Sequence, residues 1–132
     1  MIFVDAGPLI ARVYPRDSRH KNALEVWDIL KSYRCITTNL VIVETVNFLS
    51  GKIGGRSAVK WGRSLYYDPW VKVVESRIDD EIEALPLVER LGKGIGLADA
   101  VSFLIMRRYG IKEVATFDSH FKIAGFVNIC EL

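Results

Sequence analysis

Histidine and cysteine are nearly missing from this chain: only His20, His120, Cys35 and Cys130 occur in its 132 residues. Their separation excludes a closely spaced Cys/His zinc motif. Cys35 and Cys130 read as small apolar core residues rather than as a disulfide pair. No apolar stretch approaches the roughly 20 residues of a membrane span. The N-terminal apolar run breaks at Asp5 and has no basic leader, so it does not read as a signal peptide. A cytoplasmic protein with no membrane partner is expected. Excess charge is also scarce: 18 Lys and Arg against 16 Asp and Glu leave a net charge of +2, too mild a bias to mark a nucleic-acid binder by itself. There is no internal repeat or low-complexity segment. A chain of this length supports one ordinary core, so a single domain over residues 1–132 is expected.

What the chain does contain is alternation between strand-like and helix-like segments. Ile2-Phe3-Val4 reads as a short buried strand that stops at Asp5 and a Gly7-Pro8 turn. Leu9 to Val13 makes a short helix that Pro15 ends. Asp17 or Ser18 offers an N-cap for a helix carrying Ala23, Val26, Trp27 and Leu30, and Arg34 to Thr37 is a second strand. The β-branched residues after Asn39 favour strand. The length to Gly51 instead gives three helical turns, with Glu44 sharing a stripe with Leu40, Val41 and Phe48. Ser57 to Tyr67 follows as a helix with Ala58, Trp61 and Leu65 on one side, then Trp70 to Val74 as a third strand.

Asp79, Asp80 and Glu81 suit the positive first turn of the next helix, which carries Ile82, Leu85, Val88 and Leu91. Pro86 inside that pattern predicts a kink, or two short helices meeting. Leu97, Val101, Leu104 and Ile105 define a further helix with Asp99 in its first turn and Gly110 at its end. Glu113 to Phe117 is a fourth strand running straight into Asp118, followed by a short helix and a fifth strand at Val127 to Ile129. This order predicts an α/β three-layer sandwich with right-handed crossovers.

Four acids stand out in that scheme: Asp5 and Asp118 at strand ends, Asp99 at a helix start, and Glu44 on an apolar stripe. Taken singly, the first three also read as polar caps or as an acid stabilised by a helix dipole. Glu44 is harder to set aside, because a buried carboxylate needs a partner. If the first and fourth strands are neighbours, about 4.8 Å apart, their terminal charges repel by roughly 3 kcal/mol at an effective dielectric near 20. A hard divalent cation, which prefers carboxylate oxygens and retained water, relieves that repulsion and suits metal-assisted phosphodiester hydrolysis.

The segments VDAGPLIA around Asp5, TNLVIVETVNFL around Glu44, GLADAVSFLIM around Asp99 and VATFDSHF around Asp118 resemble the four acidic motifs of the PIN domain nuclease family. The likeness runs along essentially the whole chain, and within the family it is strongest to the toxins of VapBC toxin-antitoxin systems. It implies a five-stranded parallel sheet in the order 3-2-1-4-5, and Mg²⁺ or Mn²⁺ held by Asp5, Asp99 and Asp118, with Glu44 as the fourth catalytic acid. It further implies RNA as substrate, a cognate antitoxin and a homodimer. Two departures concern the hydroxyl residues that many members carry after the first Asp and before the third, where this chain has Ala6 and Ala98.

Ser102 and Ser119 are candidates for supporting hydrogen bonds, and His120 for a local hydrogen bond or a substrate contact. A second cluster, Lys52, Arg56, Lys60 and Arg63, interleaves with Trp61, Tyr66, Tyr67 and Trp70. Such a stripe can track an RNA backbone and stack on its bases, or it can be a solvated face over core aromatics. Two functions compete: a metal-dependent endoribonuclease acting as a toxin, and a catalytically weakened RNA- or protein-binding module on the same scaffold.

Overall fold

A computed structural model describes residues 1–131, so Leu132, the end of the expected domain, lies outside the described residues. Five strands form one sheet: β1 (Ile2–Val4), β2 (Cys35–Thr38), β3 (Val71–Val74), β4 (Glu113–Ala115) and β5 (Val127–Asn128). Every pairing is parallel and the order is β3-β2-β1-β4-β5. Helices α1 (Ala6–Val13), α2 (His20–Leu30), α3 (Asn39–Ile53) and α4 (Gly55–Tyr66) serve the connections that step from β1 to β2 to β3. Helices α5 (Ile78–Leu91), α6 (Leu97–Arg108) and α7 (His120–Ile123) serve the connections to β4 and β5, which step the other way. Because parallel crossovers are right-handed, the reversal of direction puts the two helix groups on opposite faces. Contacts follow that division: α1 packs on α2 and α3, and α3 on α4, whereas α5 packs on α6.

The strands are short and apolar because both faces are covered. Ile2, Phe3, Val4, Ile36, Val114 and Ala115 are all at most 1% exposed. Phe3 reaches the aromatic cluster of Phe103, Phe121 and Phe126, with Phe103 and Phe121 meeting edge to face at 4.8 Å. Cys35 is buried, Cys130 is half-buried, and both thiols are free. None of the described helices is long and apolar enough to cross a membrane.

Several local expectations are corrected. α1 begins at Ala6 and takes Gly7 and Pro8 into its first turn, where a proline loses no hydrogen bond. α2 begins at His20, because the Asp17 carboxylate accepts the Arg19 N–H at 2.8 Å and turns the chain before the helix. α3 runs through Gly51 to Ile53, capped by the Thr38 hydroxyl, which accepts from Val41 N–H. Strand β4 ends at Ala115, short of the expected Phe117.

The helix containing Pro86 runs as one element from Ile78 to Leu91. The carbonyl that Pro86 leaves without a donor belongs to Ile82, which faces solvent and can bond water instead. The expected stripe is also rotated: Ala84 and Leu87 are buried, while Ile82 and Leu85 are exposed. Asp80 fixes that rotation. Its carboxylate accepts from Arg77 N–H at 2.9 Å and from Arg108 on α6 at 2.8 Å, turning its own face of α5 inward.

Candidate active site

The chain leaves β1 in one direction and returns to β4 on its other side, so the carboxyl ends of β1 and β4 form the switch point where an open α/β sheet binds ligands. Asp5 follows β1 directly, and its N–H donates to Ala115 O at 3.0 Å, carrying the register one step beyond the strands. The residue is 7% exposed. Asp118 comes three residues after β4 rather than at its end. Thr116 accounts for the spacing: its hydroxyl accepts Asp118 N–H at 2.9 Å and donates to Asp5 Oδ2 at 2.7 Å. One fully buried hydroxyl thus turns the chain out of the sheet and binds two of the acids. Asn128 completes the turn by receiving Thr116 N–H and donating to Thr116 O.

Phe117 packs over the first turn of α1, and Gly7 is what admits it. A Cβ there would lie 3.0 Å from Phe117 Cδ2. Asp99 sits in the first turn of α6, half-buried. Glu44 lies on α3, where the buried residues are Val41, Ile42, Thr45 and Leu49. Glu44 itself is exposed, so the expectation of a carboxylate buried on an apolar stripe is corrected. The helix turns Val41, Ile42, Thr45 and Leu49 inward and leaves Val43, Glu44 and Phe48 outward.

Electrostatics tie the four together. Burial pushes Asp5 up, opposed by the Thr116 hydrogen bond and reinforced by Asp118. Partial burial of its carboxyl tip, then Asp5 and Asp118, raise Glu44. Burial, then Asp5, Asp118 and Glu44, lift Asp99 to about 7, with a hydrogen bond to Asp118 adding to the rise. Among the described residues, no arginine or lysine forms an ion pair with any of the four. The result is a converging set of oxygens short of positive charge, which is the donor chemistry of a hard divalent cation.

His120 adds to this set. Its Nδ1 lies 2.7 Å from Asp118 Oδ1, and one donor atom each from Asp99, Asp118 and His120 fall within 4.8 Å of one another. The remaining candidates stand apart. Ser102 is buried, but its hydroxyl donates to Ala98 O at 3.0 Å within α6. Ser119 is exposed and does not cap α7 with its side chain. Lys52 lies over the Phe48 ring. Arg56, Lys60 and Arg63 line a groove of about 690 Å³ on α4 with Val59 and Tyr67, and none of the four acids borders it. Thr116 is the residue that sequence reasoning passed over. A hydroxyl two positions before Asp118, at a strand's end, was the available signal.

A sequence profile of the PIN domain family matches residues 2–127. The chain belongs to the PIN domain family. Along 130 residues, 98% of each chain, it is 34% identical to the 23S rRNA-specific endonuclease VapC20 of Mycobacterium tuberculosis. The crystal structure of that protein, described as a Sarcin-Ricin loop cleaving toxin, superposes with a TM-score of 0.88 at 31% identity over 98% of both chains. FitAcB from Neisseria gonorrhoeae shares the fold, with a TM-score of 0.65 at 14% identity over 97% of this chain and 96% of the other. The PIN fold accounts for the strand order and for the switch point between β1 and β4.

Proposed function

We propose that this PIN domain is a divalent-cation-dependent endoribonuclease that serves as the toxin of a type II toxin-antitoxin pair in the cytoplasm. The observation that carries the reading is the convergence of Asp5, Glu44, Asp99 and Asp118 with no lysine or arginine paired to them among the described residues. Whole-length similarity to a 23S rRNA-specific endonuclease supports RNA, and ribosomal RNA first, as the substrate.

Asp5, Asp99 and Asp118 would hold Mg²⁺ or Mn²⁺. A cation bound there supplies charge neutralisation at the phosphodiester and lowers the cost of ionising water. The protein's own work is positional. Thr116 fixes the Asp5 carboxylate and the turn that carries Asp118. Glu44, exposed at the rim beside these acids, would accept a proton from the attacking water in its ionised form, which a cation favours by offsetting the Asp5 and Asp118 charges. Water forms the new bond to phosphorus as one P–O ester bond breaks, and no side chain becomes covalently attached. The Thr116 hydroxyl bears on the competing reading of a weakened binding module, since it supports the acids where Ala6 and Ala98 provide no hydroxyl.

An antitoxin and a second copy of the chain are the proposed protein partners. Large apolar residues exposed on α4 and α5, including Tyr66, Ile78, Ile82 and Leu85, supply surface for them. The test of function is cleavage of ribosomal RNA by purified protein with Mg²⁺ or Mn²⁺. Asp118→Asn and Asp5→Asn should remove cleavage while circular dichroism stays unchanged. Full cleavage by both variants, or cleavage undiminished by EDTA, overturns the reading in favour of the binding module or a contaminating nuclease.

A further inference from the structure

His120 has an unusual environment for a histidine beside an aspartate. Its Nδ1 is buried and has no hydrogen-bond partner among the described residues, although Asp118 Oδ1 is only 2.7 Å away. At that distance the failure is one of direction: an N–H on Nδ1 would not point at the oxygen, and neither does its lone pair. Asp118 Oδ1 already accepts the His120 backbone N–H at 2.9 Å. The far edge of the ring is backed by the loop before α6, where a Cβ at Gly94 would lie 3.4 Å from Nε2. Nδ1 is thus the ring nitrogen that lies beside the acids, 2.7 Å from Asp118 Oδ1.

Two lone-pair atoms held this close, with no proton directed between them, are positioned as neighbouring ligands of one ion. Donors at adjacent corners of an octahedron of radius about 2.1 Å lie about 3 Å apart. An oxygen of Asp99 completes a triangle whose members are all within 4.8 Å. We propose that His120 Nδ1 is a direct ligand of the cation held by Asp99 and Asp118, making this a mixed nitrogen and carboxylate site. The inference rests on the cation-dependent reading above and deepens it. Mg²⁺ favours oxygen donors, whereas an imidazole moves preference toward first-row transition ions. The site therefore prefers Mn²⁺ over Mg²⁺ more than the carboxylates alone would.

The test uses the full chain loaded with Mn²⁺ and read by pulsed electron paramagnetic resonance. Wild-type protein should show nitrogen modulation from a directly bound imidazole, shifted by ¹⁵N labelling of histidine. His120→Gln should remove it and weaken Mn²⁺ binding tenfold or more, with a smaller loss for Mg²⁺. His20→Gln should retain it, since His20 Nδ1 faces the Ala11 carbonyl on another part of the chain. Mn²⁺ uptake without nitrogen modulation, or modulation that survives in His120→Gln, overturns the His120 assignment and leaves the carboxylate site standing. No Mn²⁺ uptake by wild-type protein overturns both. Should His120→Gln fail to fold, the wild-type spectrum and the His20→Gln control still decide.

Discussion

Replacing Asp99 by asparagine should make the cation-free protein more stable at alkaline pH. In the folded chain the Asp99 carboxyl rises from 3.8 to about 7, through burial first and then the charges of Asp5, Asp118 and Glu44. A raised folded pKa means that the native state binds more protons than the unfolded chain between those values. Stability therefore falls as pH climbs from about 4 to about 7 and levels off above. Roughly three pH units at about 1.4 kcal/mol each set a ceiling of about 4 kcal/mol. Solvent screening in an open cleft and proton sharing with Asp118 bring the expected gain down to about 1 to 2 kcal/mol, or about 4 to 8 °C in Tm for a chain of this size. The assay is thermal unfolding in EDTA at pH 4.5 and pH 8. Wild-type protein should lose stability between the two, while Asp99→Asn should lose less and exceed wild type at pH 8. Millimolar Mg²⁺ should raise the wild-type Tm and leave the variant nearly unmoved. An Asp99→Asn protein less stable than wild type at pH 8, with an unchanged pH slope, is incompatible with a raised Asp99 carboxyl.

Three further outcomes are expected. Thr116→Val strands the Asp5 and Asp118 hydrogen bonds and should cost about 1 to 3 kcal/mol along with most RNA cleavage, whereas Thr116→Ser should keep both; urea melts and a cleavage assay read the difference. Gly62→Ala puts a Cβ 2.7 Å from Val46 Cγ2 where α3 and α4 touch, costing about 1 to 3 kcal/mol, and Val46→Ala in the same chain should recover most of it. Charge reversal at Arg56 and Lys60 should weaken RNA binding and flatten its salt dependence by about 0.7 per lost phosphate contact; unchanged affinity in a filter-binding titration would return that groove to a solvated face.

The parts of the fold that were legible in the sequence are those governed by one periodicity. Ile2 to Val4 had to be a buried strand, because three consecutive β-branched or aromatic residues suit a sheet covered on both faces, and Asp5 had to stand at its exit. The helices after Asn39 and Leu97 followed from length and spacing. What spacing could not carry was orientation set by a polar contact. The Asp80 pair with Arg108 rotates α5 and exposes Ile82 and Leu85, and no hydropathy pattern reports a salt bridge between helices. Glu44 was assigned to the right helix but to too deep a burial, since Leu40, Val41 and Phe48 look equally apolar in sequence and only Val41 is buried. Thr116 was hidden for a related reason. A threonine in a β-branched run reads as strand, and only the turn made by its hydroxyl shows that the chain has already left the sheet.

Anomalous diffraction from crystals soaked in Mn²⁺ reads out whether these remote carboxylates converge on one cation-binding pocket. A peak is expected among Asp5, Asp99 and Asp118 at the carboxyl ends of β1 and β4, with its loss in Asp99→Asn crystals. Well-diffracting crystals with no density there, or with a lysine or arginine drawn in to neutralise those acids, would contradict it.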